Sequence, residues 1–411
     1  MTSIWAARTG LYIIRCGPQA GTPVCSLSRQ THNCSVPTHH GTLQRDPSSR
    51  MAAATPHRQK PQWSESVTES SAELKMVESF KRSRRFITDP GLINSVQKCL
   101  APWGCSRTRP VIMECNPGPG ILTRALLDAG HKVFALESDT SFLPSLEKLQ
   151  RAANGQLKVI HCDFFRIDPW SEGLVQPPSM YSSTLMKNLD IREVSWTSDV
   201  PLKVFLMLGP KKERILLWRH IYSLYERLSV YKFGRVELNV FMTENQYQKL
   251  ICKPGDFKNY RALGVLYQSA CDIELLHKEP MSTFLMPSKF ESPSMPNSGG
   301  FANENLCLVR ITPRRNLFSE NFTAADGGIF VQMIKQFLAK RKSKLIDRLD
   351  NLVPGNGKDL LESLALPIDI TTGCIYPGEY KLLFEIMLRS EEFNRSFVLN
   401  EIYEDIAVTS Y

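Results

Sequence analysis

Pro110-Val-Ile-Met-Glu-Cys-Asn-Pro-Gly-Pro-Gly-Ile-Leu-Thr-Arg-Ala-Leu-Leu-Asp-Ala-Gly130 is the stretch whose reading decides the fold. A short apolar run ends at Glu114, and a loop containing two prolines and two glycines follows. From Ile121 the apolar residues recur at helical spacing up to Gly130, a residue suited to closing a helix. The predicted order is strand, tight turn, helix. Glycine at 118 and 120 lets backbone N–H groups come close to a ligand at the helix N-terminus, where the partial positive charge favours an anionic group.

Spacing restricts which ligand. A dinucleotide fingerprint needs G-x-G-x-x-G, and here Thr123 stands at the third glycine position. Two further apolar runs end in acids: His131 to Glu137, read as a second strand, and Leu157 to Asp163, read as a third. In a parallel sheet the strand C-termini line the ligand crevice, which puts Glu114, Glu137 and Asp163 side by side. An acid after the second strand can accept both ribose hydroxyls, and one after the third can accept an adenine amino group. Adenosine is the ligand this pattern predicts, the alternative being three solvated loop residues.

Charge is unevenly placed. The chain has 411 residues and a formal charge of +9. Residues 1–63 hold Arg8, Arg15, Arg29, Arg45, Arg50, Arg58 and Lys60 against Asp46 alone, which is +6 of that total. This leader, rich in Arg, Ser, Thr and Pro, follows the pattern of a mitochondrial transit peptide, and Arg8 and Arg15 interrupt its apolar residues too early for a membrane span. The 11 cysteines include no C-x-x-C pair, so no zinc or other metal site is expected, and Cys115 and Cys162 read as packing residues. A polar linker over 64–80 leads to Lys81-Arg82-Ser83-Arg84-Arg85, either a solvated run or a phosphate contact. In the following Phe86-Ile87-Thr88-Asp89-Pro90, Asp89 is the expected N-cap and Ile87 the expected cover of a bound adenosine.

Phe86-Ile87-x-Asp89-Pro90, Glu114-x-Asn116-Pro117-Gly118-Pro119-Gly120, Val133-x-Ala135-Leu136-Glu137-x-Asp139 and Asp163-Phe164-Phe165 resemble the ribosomal RNA adenine dimethyltransferases. The resemblance continues through Pro254-Gly255 to Pro280-x-x-x-Phe284-x-x-Pro287-x-Lys289. It implies a Rossmann-like class I methyltransferase fold: an α/β seven-stranded sheet over 81–312, a small C-terminal helical domain over 313–398, and an acidic tail over 399–411. It implies S-adenosyl-L-methionine as cofactor, contacted at Ile87, Glu114, Gly118, Gly120, Glu137 and Asp163. Two positions depart from the family, Arg85 where Asn is usual and Asn116 where the loop's first glycine is usual. Asn tolerates the positive φ such a turn demands.

The family holds its target adenine with an Asn-Leu/Ile-Pro-Tyr/Phe loop whose aromatic ring stacks on the flipped-out base. Asp199-Val200-Pro201-Leu202 reads as that loop, with Asp199 accepting from the amino group, Leu202 lacking a π-face and Phe284 supplying one side of a base sandwich. Weakened methyl transfer follows from the missing ring. The remaining strands are expected at Lys203 to Leu208, Val236 to Met242, Leu263 to Leu276 and Leu306 to Ile311, with a helix over Lys212 to Leu228 and an insertion over Pro287 to Phe301. Four cations in the five residues 340–344 make Lys340 and Arg341 either a solvated helix junction or a nucleic-acid contact.

Likeness to the mitochondrial branch of the family implies two functions. One is a transcription initiation factor in the matrix nucleoid, acting with the mitochondrial RNA polymerase and mitochondrial transcription factor A on a melted strand of promoter DNA. The other is dimethylation of two adjacent adenosines in mitochondrial small-subunit rRNA. No membrane partner is expected.

Overall fold

The computed structural model describes residues 67–101, 110–169, 175–209, 212–287 and 304–394. Seven strands form one sheet: β1 (Val111–Cys115), β2 (Val133–Glu137), β3 (Leu157–His161), β4 (Leu202–Met207), β5 (Glu237–Thr243), β6 (Cys271–Pro280) and β7 (Asn305–Pro313). Their order is β3-β2-β1-β4-β5-β7-β6. The pairings from β3 across to β5 are parallel, and β7 runs antiparallel to both β5 and β6. The chain starts in mid-sheet, works outward to β3 and then returns to the other side of β1. The order therefore reverses between β1 and β4, and a crevice opens beyond their C-terminal ends. This is the seven-stranded, Rossmann-like class I arrangement that the sequence predicts.

Alternation along the central strands feeds two cores. Ile112, Val133, Ala135, Phe205 and Phe241 pack on the face covered by the helices Pro90–Leu100 and Ile121–Asp128. Met113, Phe134, Leu136, Val204 and Leu206 point to the opposite face, into a larger core that continues through the C-terminal helices. Among these, Gly327–Phe337 and Pro377–Met387 pack with Glu213–Tyr225 and Ala262–Ala270. Phe330 joins them, its ring centroid 5.4 Å from Tyr225 and 5.2 Å from Phe384.

Two stretches differ from expectation. Leu263 to Leu276, read as one strand, is the helix Ala262–Ala270 running directly into β6. Leu263, Leu266, Tyr267 and Ala270 lie at helical spacing, but Gly264, Val265 and Ser269 are buried too. A helix buried on all sides carries no polar face to reveal its period. Within the stretch read as linker, Val67–Glu78 is helical, because Val77 and Phe80 find a small aromatic core with Phe86 and Phe142. The leader, Lys289 and the rest of the insertion past Pro287, and the acidic tail lie outside the described residues. Among the described residues no helix is long and apolar enough to cross a membrane.

Gly327 fixes how closely the C-terminal helices approach the sheet domain. A Cβ there would stand 2.3 Å from the Tyr225 carbonyl oxygen, whereas one on Gly378 meets nothing within 4 Å. Gly327→Ala is expected to cost about 1–3 kcal/mol by overpacking. Gly378→Ala should be neutral or stabilising by up to about 1 kcal/mol. Thermal unfolding of the two variants beside the parent chain checks both signs.

Candidate functional site

The loop after β1 takes the strained path its sequence allows. Asn116, Gly118 and Gly120 all have positive φ, at 56°, 68° and 95°. Asn116 holds the left-handed conformation in the glycine's place because its side-chain oxygen accepts from Ser138, from the backbone N–H at 3.2 Å and the hydroxyl at 2.7 Å. Those two bonds tie the loop to the end of β2. At Gly118 an added Cβ would lie 2.7 Å from the Phe86 ring, so the absence of a side chain there is a packing requirement as well as a conformational one.

The three acids sit at the C-terminal ends of three adjacent strands, and each is engaged differently. Glu114 is buried and accepts from the Thr123 hydroxyl at 2.7 Å. Burial pushes its carboxyl up to about 7, the Thr123 bond opposes the shift, and Glu137 nearby adds to it. Glu137 is fully buried and accepts from the backbone N–H groups of Gly118 and Asp139, each at 2.9 Å. Asp163 caps the short turn after β3, accepting from Phe165 N at 3.0 Å, with Arg166 3.6 Å away. The convergence registers at Cys115: burial drives its thiol far above the usual range, and the charges of Asp163, Glu114 and Glu137 all push the same way. Cys115 and Cys162 are buried packing residues, and burial lifts the Cys162 thiol to about 12.

Arg84 was missed as a site residue. Its guanidinium forms a fork on Glu137, Nη1 to Oε1 at 3.0 Å and Nη2 to Oε2 at 2.9 Å, and also donates to the Asn116 carbonyl. The sequence signal was the basic run at 81–85. Nothing in its composition separates Arg84 and Arg85, which turn inward, from their exposed neighbours Lys81 and Arg82.

A cavity of about 180 Å³ opens at the switch point between β1 and β4, lined by Glu114, Arg85, Ile87, Met207, Leu208 and Gly209 among others. Ile87 thus reaches the crevice mouth as expected, held there by the Asp89 cap, whose carboxylate accepts from Leu92 N at 2.8 Å. Gly118 and Gly120 shape the loop above Glu137, and Asp163 lies two strands away from the cavity.

The expected catalytic corner is not at this crevice. In the parallel register Leu202 is level with Val111, the first residue of β1, while Phe205 is level with Glu114. Asp199 therefore precedes β4 at the opposite end of the sheet, where it is exposed and paired with Arg315 beyond the end of β7. Phe284 is no base platform: it is 3 % exposed and set edge-on against Phe241 at 5.2 Å in the core. The described residues that follow β4 into the crevice are Leu208 and Gly209, and Pro210 and Lys211 come next in the sequence. The family motif has proline third, and the chain offers that pattern twice, at Pro201 and at Pro210. The strand-end rule selects the second, since β4 ends at Met207 and its C-terminal end faces the crevice. There Leu208 stands at the Asn position and Lys211 at the aromatic one, so neither the amide acceptor nor the ring is present in the sequence at that loop.

Of the two cations singled out for nucleic acid, Lys340 is exposed and Arg341 is half-buried, its Nε donating to the Phe257 carbonyl at 2.8 Å. Burial and the neighbouring Arg261 lower the pKa of Arg341. Lys342 lies 5.7 Å from the centre of the Phe257 ring.

Glu114 gives the site a pH signature. A carboxyl whose folded pKa is raised stabilises the fold below the unfolded value near 4.5, and that contribution falls away as pH rises to about 7. At about 1.4 kcal/mol per pKa unit the loss is up to roughly 3 kcal/mol. Unfolding midpoints measured from pH 5 to 8 should fall more steeply for the parent chain than for Glu114→Gln, and parallel curves would contradict the assignment.

Comparison with known proteins shows the family of the chain. The family model described as ribosomal RNA adenine dimethylase matches residues 78–372. The protein named dimethyladenosine transferase 2, mitochondrial, of Homo sapiens is 40% identical over 325 residues, covering 78% of this chain and 82% of that one. Its namesake from Rattus norvegicus is 43% identical over 285 residues, covering 69% and 72%. Among solved structures, a dimethyladenosine transferase from Plasmodium falciparum aligns with a TM-score of 0.48 at 13% identity, covering 72% of this chain and 95% of that one. The chain belongs to the ribosomal RNA adenine dimethylase family, a class of S-adenosyl-L-methionine-dependent rRNA adenine dimethyltransferases.

Proposed function

We propose that this chain is a mitochondrial transcription initiation factor built on the dimethyltransferase scaffold. In this reading it works in the matrix nucleoid with the mitochondrial RNA polymerase and mitochondrial transcription factor A, holding a melted strand of promoter DNA, and retains weak methyl transfer. The observation that carries the reading is the loop after β4, where Leu208 and Gly209 present no side-chain acceptor to an adenine amino group. An amino lone pair delocalised into the ring is a poor nucleophile, and without an acceptor and a stacking face the base is not held in line for transfer. Losing the stack alone removes about 1–3 kcal/mol of base binding. The family's way of holding an unpaired, flipped nucleotide suits an unpaired DNA strand as well, and exposed Lys340 and Lys342 beside Phe257 offer phosphate contacts next to an aromatic ring. Mitochondrial location is supported by the leader and by the names of the relatives.

Dimethylation of mitochondrial small-subunit rRNA is the second reading. It is favoured by the three strand-end acids and the intact loop at Gly118 and Gly120, proposed here as the cofactor contacts together with Ile87.

Run-off transcription from linear mitochondrial promoter DNA, scored beside methyl transfer to an rRNA hairpin, separates the two. Asp163→Ala, at a partly exposed acid, is expected to abolish transfer and leave polymerase-dependent initiation within about twofold of the parent chain; loss of both together in a variant that unfolds at the parent's temperature would favour the second reading. Lys340→Glu is the cleaner probe of the basic cluster, since Arg341 also ties two loops together. It should weaken DNA binding and reduce the slope of log affinity against log salt by about 0.7–0.9. An unchanged slope removes Lys340 from the DNA contact.

A further inference from the structure

We propose that Arg84 is an internal competitor for the ribose-recognising carboxylate, and that the segment from Phe80 to Phe86 is a strap that must release it before an adenosine cofactor is admitted. The inference rests on the reading of Glu137 as the acceptor of the ribose hydroxyls.

The two oxygens of an ionised carboxylate offer about four acceptor sites. On Glu137 all four are taken. Oε1 accepts from Arg84 Nη1 at 3.0 Å and from Asp139 N at 2.9 Å. Oε2 accepts from Arg84 Nη2 at 2.9 Å and from Gly118 N at 2.9 Å. A vicinal diol needs two of these sites. The two backbone donors belong to the loops that end β1 and β2 and cannot withdraw without undoing them. The side chain of Arg84 is the donor that can leave.

The surroundings of Arg84 form a holder of their own. Its guanidinium carbon lies 4.9 Å from the Phe86 ring centre, 5.4 Å from that of Phe142 and 6.0 Å from that of Phe80, a three-sided aromatic cage for a cation. Phe86 is fixed at one end of the strap by paired backbone bonds with Leu285, at 2.9 and 3.0 Å. Phe80 anchors the other end, its ring 5.0 Å from that of Phe142. Between the anchors the chain has no regular secondary structure, and a second ion pair, Arg82 to Asp139 at 3.2 Å, lays the strap across the end of β2. Two arginines spaced by one residue thus meet two acids spaced by one residue. The same geometry that recognises a ribose is closed by the chain's own N-terminal approach.

Calorimetric titration of the full chain with S-adenosyl-L-homocysteine tests this. Arg84→Gln, which removes the charge and the fork, is expected to bind at least tenfold more tightly than the parent chain, and adding Glu137→Gln in that background should reverse the gain by tenfold or more. Affinity of Arg84→Gln equal to or weaker than the parent's, with Glu137→Gln weakening it further, would overturn the strap and leave the ribose reading standing. If Glu137→Gln makes no difference in the Arg84→Gln background, the ribose reading falls and takes the strap with it. Should Arg84→Gln not fold, the structure of the parent chain bound to S-adenosyl-L-homocysteine decides: the guanidinium withdrawn beyond hydrogen-bond reach of Glu137 is the expected result, and the fork retained beside bound ligand overturns the proposal.

Discussion

A single buried carboxylate organises this end of the molecule. Glu137 has no exposed surface, and a charge so placed persists only if each of its lone pairs is met. The loop after β1 supplies one donor through Gly118, the turn after β2 supplies another through Asp139, and the N-terminal segment supplies a guanidinium. Three stretches far apart in sequence are drawn to one point by the cost of leaving that charge unpaired, about 3–5 kcal/mol when a partner of a buried pair is removed. The positive φ at Gly118 belongs to the same arrangement, in which the loop turns the Gly118 N–H toward Glu137 three residues past the strand end.

The sheet topology decides which side chains can take part. With β1 and β4 adjacent and parallel, whatever β4 contributes to a ligand held by the β1 loop has to come from its C-terminal end and the residues that follow. Residues before Leu202 are held at the far edge by the register. This is why Asp199, chemically a plausible acceptor, is excluded by position alone, and why the stretch that reaches the crevice, Leu208-Gly209, is notable for chemistry it lacks. The helices on the far face contribute nothing to the crevice directly; their tight seat at Gly327 fixes the back of the sheet against Glu213–Tyr225.

Most of the fold was legible because parallel strands buried on both faces leave compact apolar runs with an acid or a glycine at their ends. β1, β2, β3, β4, β5 and β7 all fall within the runs expected of them, to within two residues at each end. The helix Ala262–Ala270 was not legible, since total burial erases the polar face that marks a period, and Val67–Glu78 was not, since its apolar contacts are supplied by Phe86 and Phe142 from other elements. In the site, residues whose position is dictated locally were found: the loop glycines, the strand-end acids and the Asp89 cap. What escaped was relational. That Arg84 turns inward while Arg82 meets an acid at the surface depends on where three phenylalanines converge, and that Pro210 outranks Pro201 depends on strand direction rather than on motif spelling.

Strand-end acids below a glycine turn are usually taken as the mark of a working cofactor site. Here the central one is satisfied from within the chain, so its presence serves the fold whether or not a cofactor ever occupies the crevice. A protein relieved of methyl transfer would still keep Glu137, because substituting it strands Arg84 in an aromatic cage and frees the loop at Gly118. At the end of β4, Leu208 pairs its backbone N–H with the Phe241 carbonyl and buries its side chain in the larger core. The residues at this strand end, Leu208, Gly209 and Pro210, offer neither an amide oxygen nor a ring to a base, and Leu208 serves the core instead.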